Sequence, residues 1–290
     1  MIKSKHSKWG DYLVVFLCVI MILVFFLPVW NVFVRSFSSP QALIRSDVYL
    51  WPVDIDFTAY TLVLTDTTYT WALLWTAMLT IGCTILSMTM TTLCAYPLIF
   101  EKLRGRKFIN GFIMLTMYFN AGTIPNYLLF KSLGMINSPT VLIFPYCISV
   151  FNMIIMRTFL QNIPDSLRES AEIDGANPVR TLISIYLPLS TSVLATLSLF
   201  YAVGRWNGYS DALMFMPQNK TYYPIQLLLY NIIQSKESLD AATQEGFSTP
   251  GASDALKAAA VMFATIPILM IYPWLQRYFI AGVTLGAMKG

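Results

Sequence analysis

Three carboxylates lie four and three positions apart in the middle of the chain, at Asp165, Glu169 and Glu172. Residues at these spacings fall on one face of an α-helix, so the three side chains form a negatively charged surface. Such a face is either a solvated helix surface or a docking site for a soluble partner that carries basic residues. The chemistry that this pattern offers is electrostatic binding, and the residues alone leave both interpretations open.

Few other side chains are suited to catalysis or metal binding. The single histidine, His6, lies in a basic N-terminal tail, and the four cysteines lie inside apolar runs. Cysteines in such surroundings pack as small apolar side chains rather than forming disulfides or metal sites. The chain also has no Walker-type phosphate loop. We therefore expect no catalytic residues, no metal and no cofactor bound by this chain.

The carboxylates fall within residues 161–188, a polar stretch that predicts two short helices. Asn162 is expected to cap the first helix, and Gly175 suits the position where a helix ends in a left-handed conformation. Asn177 followed by Pro178 is typical of the start of a second helix. The carboxylates should therefore lie on a helix–glycine–helix element that connects two larger segments.

The composition indicates what those larger segments are. Of the 290 residues, 56% are hydrophobic and 12% are charged, and the mean hydropathy is +0.60. Soluble domains contain roughly 25% charged residues, so a soluble globule is excluded, as is a disordered chain. A net charge of +4 gives no support to nucleic-acid binding. The chain is predicted to be an all-α integral membrane protein.

Six segments without Asp, Glu, Lys or Arg are long enough for the roughly 20 residues of a membrane-spanning helix. We predict six transmembrane helices within residues 12–34, 67–100, 108–130, 132–156, 181–204 and 258–276. A seventh charge-free segment, residues 221–235, is too short to span and is expected to form an interfacial or loop helix.

Basic residues set the orientation of such a protein, because loops rich in Lys and Arg stay in the cytosol. With a cytosolic N-terminus and six alternating spans, 12 of the 19 Lys and Arg residues lie inside, together with six acids. Both termini are therefore predicted to be cytosolic. Residues 161–188 then lie inside as well, so their acids oppose the positive-inside tendency. A solvated helix surface and a docking site for a basic partner both stay open at this point.

Residues 161–188 resemble the EAA loop of ABC-importer permeases. That pattern is Glu-Ala-Ala, three residues, Gly, nine residues, Ile, one residue and Leu-Pro. The chain has matching residues at the same spacings, with a serine in place of the first alanine: Glu169, Ser170, Ala171, Gly175, Ile185, Leu187 and Pro188. The substituted serine is also small, so the packing of this element should be preserved.

Residues outside that pattern resemble carbohydrate-type permeases, in particular the MalG-like subunits and the branch named for LplC and YtcP. They are the runs Arg157-Thr158-Phe159 and Asp174-Gly175-Ala176 and the Gly-rich C-terminal tail. The resemblance covers essentially the whole chain. It implies the permease subunit of an ATP-driven importer of a sugar or oligosaccharide, multi-pass in a bacterial plasma membrane and not itself an enzyme.

The resemblance also implies a type I importer permease fold and a set of partners. These are a second, different permease subunit, two cytosolic ATPase subunits that bind ATP and Mg²⁺, an extracellular solute-binding protein and membrane lipid, with no nucleic acid. Residues implied to couple to the ATPase are Glu169, Ser170, Ala171, Asp174, Gly175, Ile185, Leu187 and Pro188. The C-terminal tail is implied to reach the same interface through Gly282, Gly286 and Lys289.

Polar and aromatic residues within or beside the predicted spans are candidates for a substrate pathway, because sugars suit amide hydrogen bonds and aromatic contacts. The candidates are Tyr118, Asn120, Asn126, Asn152, Trp206 and Asn207. Hydrogen bonds between helices explain an intramembrane asparagine equally well, so both interpretations stay open.

The predicted organisation has three parts. Residues 1–71 form the N-terminal tail, first span and outer loop, residues 72–280 the core permease domain, and residues 281–290 a cytosolic tail. One alternative function is an ABC permease for a non-sugar solute. Another is an ion-coupled secondary transporter, although none of the six charge-free cores contains the carboxylate that ion coupling favours.

Overall fold

The computed structural model describes residues 8–234 and 250–287. This part of the chain is helical, and its only β-type pairing is an isolated bridge between Ser38 and Ile55. The prediction of an all-α protein is confirmed for these residues.

The helices are numbered in chain order. They are α1 (Lys8–Ser36), α2 (Pro40–Ile44), α3 (Thr58–Thr65), α4 (Thr67–Ala95), α5 (Arg106–Tyr118), α6 (Thr123–Ser132), α7 (Thr140–Ile143), α8 (Val150–Gln161), α9 (Asp165–Ile173), α10 (Pro178–Thr181), α11 (Leu187–Leu189), α12 (Thr191–Trp206), α13 (Ser210–Phe215), α14 (Ile225–Gln234) and α15 (Pro250–Ala287). A π-helical turn, Leu182–Tyr186, joins α10 to α11.

Three helices are long and apolar enough to cross a membrane, at Tyr12–Ser36, Thr67–Ile99 and Gly251–Ile271. Two further pairs pass the same test jointly but are bent, by 44° between Thr140–Tyr146 and Val150–Gln161 and by 85° between Pro178–Leu189 and Thr191–Trp206. The described residues thus hold three to five candidate spans, each of which overlaps one of the charge-free segments of the sequence.

The remaining charge-free segment, residues 108–130, is divided between α5 and α6. The division falls at 119–122, where the side-chain oxygen of Asn120 accepts a hydrogen bond from the amide of Gly122 at 2.9 Å. Gly122 has a φ of 87°, a conformation that glycine adopts more easily than other residues. Neither half is long enough to span by itself. The short segment 221–235 forms a helix, α14, as predicted.

Two compact units are distinguished by the contacts within the chain. The first comprises the chain up to Thr70 together with Leu229–Ile266. Within it, Arg35 near the end of α1 forms an ion pair of 2.9 Å with Asp254 of α15. Most of the α1 side chains from Tyr12 to Leu27 are exposed and apolar, as expected for a helix surrounded by lipid.

The second unit comprises Trp71–Leu228 and the chain from Pro267 onward. Its core joins the end of α4 to α8, the π-helical turn and α12. The largest buried side chains of this core are Tyr96, Met156, Leu160, Leu182, Tyr186 and Leu197. This core supports both the loop at residues 161–188 and the cavity described below.

Candidate functional site

The loop at residues 161–188 contains the predicted helix–glycine–helix element. Helix α9 begins after Pro164, and Asp165 lies in its first turn, where a negative charge favours the helix dipole. The helix ends at Ile173, and Gly175, just beyond the capping residue Asp174, has a φ of 77°. The amide of Ala176 then donates to the carbonyl of Ala171 at 2.9 Å, which satisfies a carbonyl at the helix end. The prediction for Gly175 is confirmed.

The two asparagines of the loop behave differently. Asn177 caps α10 as predicted, since its side-chain oxygen accepts a hydrogen bond from the amide of Arg180 at 2.8 Å. The predicted capping of α9 by Asn162 is wrong. Helix α8 continues to Gln161, and Asn162 closes it by donating its side-chain amide to the carbonyl of Thr158 at 2.9 Å.

The basic residue Arg168 is the functional candidate that the sequence analysis missed. Its guanidinium donates to Glu172 at 2.7 Å and to Asp165 at 3.4 Å. The hydrogen bond with Glu172 raises the pKa of Arg168 above its ordinary value. The spacings of three and four residues are those that place ion pairs along one helix face, so this signal was present in the sequence.

Arg168 also connects α9 to the core of the second unit. Its guanidinium carbon lies 5.6 Å from the centre of the Phe100 ring, a cation–π arrangement. Phe100 contacts Tyr96, and Tyr96 contacts Tyr186, with ring centres 5.0 and 5.2 Å apart. Arg168 therefore attaches helix α9 to a series of contacting aromatic residues in the core.

These ion pairs divide the acidic face that the sequence predicted. Asp165 and Glu172 face Arg168, whereas Glu169 is 4.0 Å from it and its side chain is 66% exposed. Ile173 follows Glu169 by four residues, shares its face, and is 86% exposed. Asp165 and Glu172 are exposed as well, at 79% and 54%. Glu169 differs from them in its longer distance from Arg168 and in the exposed apolar side chain beside it.

The other predicted coupling residues lie at different depths. The hydroxyl of Ser170 donates a hydrogen bond to the carbonyl of Ser166, one turn earlier in α9, at 2.9 Å. Ala171 is half-buried, and Asp174 is exposed at the helix end. Ile185 and Leu187 are half-buried in the stretch Pro178–Leu189, and Pro188 is exposed there. Glu169, Ser170 and Ala171 therefore lie on α9, and Asp174 and Gly175 directly follow it. The other three lie along the second arm of the loop.

The predicted tail residues fall at the end of the last helix. Gly282 and Gly286 lie within α15, which continues to Ala287. Lys289 lies outside the described residues.

Only one of the six proposed pathway residues lines the cavity of the second unit. This cavity has a volume of about 370 Å³ and includes Asn152, which is 6% exposed. Trp206 is also buried but does not line the cavity, and Asn120 is used in the turn between α5 and α6. Tyr118, Asn126 and Asn207 are likewise absent from the cavity wall.

A buried ion pair in the cavity wall was not anticipated from the sequence. Arg205 of α12 donates two hydrogen bonds to the carboxylate of Asp211 at 2.6 and 3.1 Å, and their side chains are only 8% and 7% exposed. Arg205 also donates to the carbonyl of Leu142 at 3.0 Å. An Arg followed six residues later by an Asp at the edge of an apolar segment was the available signal.

The sequence is similar to bacterial transport components over nearly its whole length. A family model described as the binding-protein-dependent transport system inner membrane component matches residues 1–285. The polygalacturonan/rhamnogalacturonan transport system permease protein YtcP of Bacillus subtilis (strain 168) is 36% identical over 286 residues, which cover 98% of this chain and 99% of the relative. Protein LplC of the same strain is 33% identical over 266 residues, covering 91% and 89%.

One solved structure is similar over nearly its full length. It is the crystal structure of a bacterial ABC transporter involved in the import of the acidic polysaccharide alginate. The matched chain has 30% sequence identity and a TM-score of 0.87, and the match covers 96% of the present chain and 99% of the other.

Proposed function

The chain belongs to the family of binding-protein-dependent transport system inner membrane components, and from this premise we propose that it is the permease subunit of an ATP-driven importer of sugars or oligosaccharides. Inner membrane localisation and a multi-pass topology follow from the family and from the apolar helices. The six-span arrangement with both termini in the cytosol remains part of the proposal.

An oligosaccharide substrate is supported by the names of the similar proteins. YtcP is described as transporting polygalacturonan and rhamnogalacturonan, and the similar solved structure belongs to an alginate importer. Alginate is described there as an acidic polysaccharide. Fragments of such polymers are therefore the first substrates to test for this chain.

The outward face of α9 carries the proposed coupling to the ATPase subunits. Glu169 offers a charge that is 4.0 Å from Arg168, Ile173 offers an apolar side chain, and both are exposed in the isolated chain. An exposed charge beside an exposed large apolar residue suits a protein–protein contact with a charged rim and an apolar centre. Arg168, next to Glu169 on the helix, contacts the Phe100 ring of the core, so a force applied to α9 reaches the core.

Transport then proceeds by alternating access. Closure of two partner ATPase subunits, which bind ATP and Mg²⁺, moves α9, and the spans change from an inward-facing to an outward-facing arrangement. Rigid elements that link two sites in this way are a recurring means of switching. The second permease subunit completes the pathway, and an extracellular binding protein supplies the substrate.

The proposal is tested by purifying the complex through a tag on this chain and reconstituting it into proteoliposomes. Uptake of labelled oligogalacturonides, alginate oligosaccharides and neutral oligosaccharides is measured with the binding protein outside and ATP inside. ATP-dependent uptake of at least one of them is expected. Uptake driven by an ion gradient without ATP would establish the secondary transporter instead. ATP-dependent import of an amine or phosphonate, but of no sugar, would establish the non-sugar permease.

A further inference from the structure

The cavity of the second unit lies where a candidate span is broken. The bend of 44° separates Thr140–Tyr146 from Val150–Gln161, and Ser149 lies at the break. The hydroxyl of Ser149 accepts the amide of Asn152 at 3.4 Å, and its own amide donates to the hydroxyl of Tyr201 at 3.0 Å. Interrupted helices at membrane depth are tolerated where they line a cavity, and in transporters they commonly line a binding site.

The cavity wall combines hydroxyl and amide groups with aromatic rings. Ser87, Ser149 and Asn152 supply polar groups, while Tyr146 and Phe200 supply aromatic side chains. Its volume of about 370 Å³ lies within the roughly 300–1,000 Å³ of small-molecule sites, which are mostly apolar with a few placed polar groups. A pyranose ring matches such a wall, because it has hydroxyls around its edge and an apolar face of C–H bonds.

The charge of the wall is balanced. Among the residues that the structure describes, Arg205 and Asp211 alone of the Asp, Glu, Lys and Arg side chains line the cavity, and they pair with each other. Arg205 retains a buried Nε atom that has no partner within the described residues. Because its charge is already compensated, Arg205 offers a ligand a hydrogen bond and little net attraction for a carboxylate.

A hydrogen bond between two helices and a glycine beside the ion pair determine the shape of this wall. The hydroxyl of Tyr201 bonds with that of Thr91 on α4 at 2.7 Å, which connects α4 and α12 beside the cavity. A side chain at Gly208 would come within 2.8 Å of the guanidinium of Arg205, so the absence of a side chain there makes room for the ion pair. The arrangement is therefore held from several elements and not from one loop.

We propose that this cavity is a subsite for an uncharged part of a sugar ring of the transported substrate, with Asn152 and Ser149 as its hydrogen-bonding side chains. The subsite rests on the proposed import function. It assigns direct substrate contact to this subunit.

Two glycines provide a matched test. Gly204 on α12 and Gly82 on α4 both have open space where a side chain would begin, but only Gly204 lines the cavity. Gly204→Leu, Gly82→Leu and Asn152→Ala are each introduced into the complete complex in proteoliposomes. Initial uptake of the transported oligosaccharide and ATP hydrolysis stimulated by the binding protein are measured in parallel.

Gly204→Leu is expected to lower uptake at least about tenfold and Asn152→Ala about three- to tenfold, the range of one lost hydrogen bond. Stimulated ATP hydrolysis by these two variants should stay within about twofold of wild type. Gly82→Leu should match wild type in uptake and in stimulated ATP hydrolysis. If the complex with Gly204→Leu fails to assemble, the test rests on Asn152→Ala, which should lower uptake while stimulated ATP hydrolysis is retained. Uptake by Asn152→Ala within about twofold of wild type overturns the subsite. A wild-type complex that imports no sugar instead overturns the proposed function.

Discussion

The guanidinium of Arg168 lies 5.6 Å from the centre of the Phe100 ring, and this contact joins helix α9 to the core below it. The same guanidinium holds Glu172 at 2.7 Å and Asp165 at 3.4 Å. The same cation thus lies closest to Glu172 and Asp165, whereas Glu169, for which we propose an external partner, is 4.0 Å from it. The relationship explains how a helix with an acidic face can be both attached to its own chain and available for docking.

Arg168→Ala is expected to weaken the transmission of movement from α9 to the core. A cation–π contact at a partly exposed site contributes about 0.5–1 kcal/mol, and each exposed ion pair adds less. We expect the number of sugars imported per ATP hydrolysed to fall about two- to fivefold, with ATPase assembly retained. Arg168→Lys should recover part of this ratio, and Arg180→Ala, at an exposed residue of α10, serves as the control. An unchanged ratio in Arg168→Ala would exclude this role.

Gly175→Ala is expected to strain the turn between α9 and α10. The residue has a φ of 77° and no neighbour that an added side chain would strike, so the cost is that of the backbone conformation alone. That cost is about 1–2 kcal/mol for a residue with a side chain. Thermal unfolding of the complex should begin at a lower temperature, and uptake should fall.

Two further glycine variants check that explanation. Gly175→Asn should be tolerated better than alanine, because asparagine adopts the left-handed conformation more readily. Gly111→Ala, at an open position within α5, should be neutral or stabilising, since alanine favours helix interiors. Equal effects of alanine at both positions would contradict the role of the φ angle.

Ile173→Ala is expected to weaken association with the ATPase subunits without affecting the fold. Its side chain is almost fully exposed, so the isolated chain gains little from it. A buried apolar anchor at an interface commonly contributes more than 1 kcal/mol, which corresponds to a dissociation rate raised about five- to tenfold. The rate is measured by surface-based binding of the ATPase subunit to the immobilised permease pair. Ile124→Ala, at an exposed residue outside the loop, should leave it unchanged.

Asp211→Ala is expected to destabilise the second unit strongly. Removing one partner of a buried ion pair leaves an uncompensated charge and costs about 3–5 kcal/mol. Asp254→Ala removes a partner from the half-exposed pair with Arg35 and should cost about 0–1 kcal/mol. Thermal denaturation of the detergent-solubilised complexes distinguishes the two. Similar losses in both variants would show that burial of the Arg205–Asp211 pair contributes little.

The parts of the site that follow from local rules were predictable from the sequence. The left-handed turn at Gly175 and the cap at Asn177 depend only on neighbouring residues, and both are confirmed. The cap predicted at Asn162 is wrong because the end of one helix and the start of another compete for that position. Contacts over long sequence separations were not predictable, such as that of Arg168 with Phe100.

The cavity shows the same division between local and distant information. Asn152 was identified because a polar residue within an apolar segment is conspicuous, and it does line the cavity. Tyr118 satisfied the same criterion and does not, because the composition of a helix does not specify which face meets its neighbours. The break at 119–122 was also missed, since an absence of charge predicts an apolar segment and not a continuous helix.

The most direct test of the coupling function is charge reversal at Glu169 in the complete complex. Glu169→Lys should abolish sugar-stimulated ATP hydrolysis or release the ATPase subunits, because lysine would repel a basic residue on the partner, while the membrane helices remain folded. Glu101→Lys, at another exposed acid, should behave as wild type. ATP hydrolysis, measured with the binding protein and sugar present, is expected to fall at least about tenfold in Glu169→Lys alone. Normal assembly and normal stimulation in Glu169→Lys would contradict the assignment of α9 as the coupling helix.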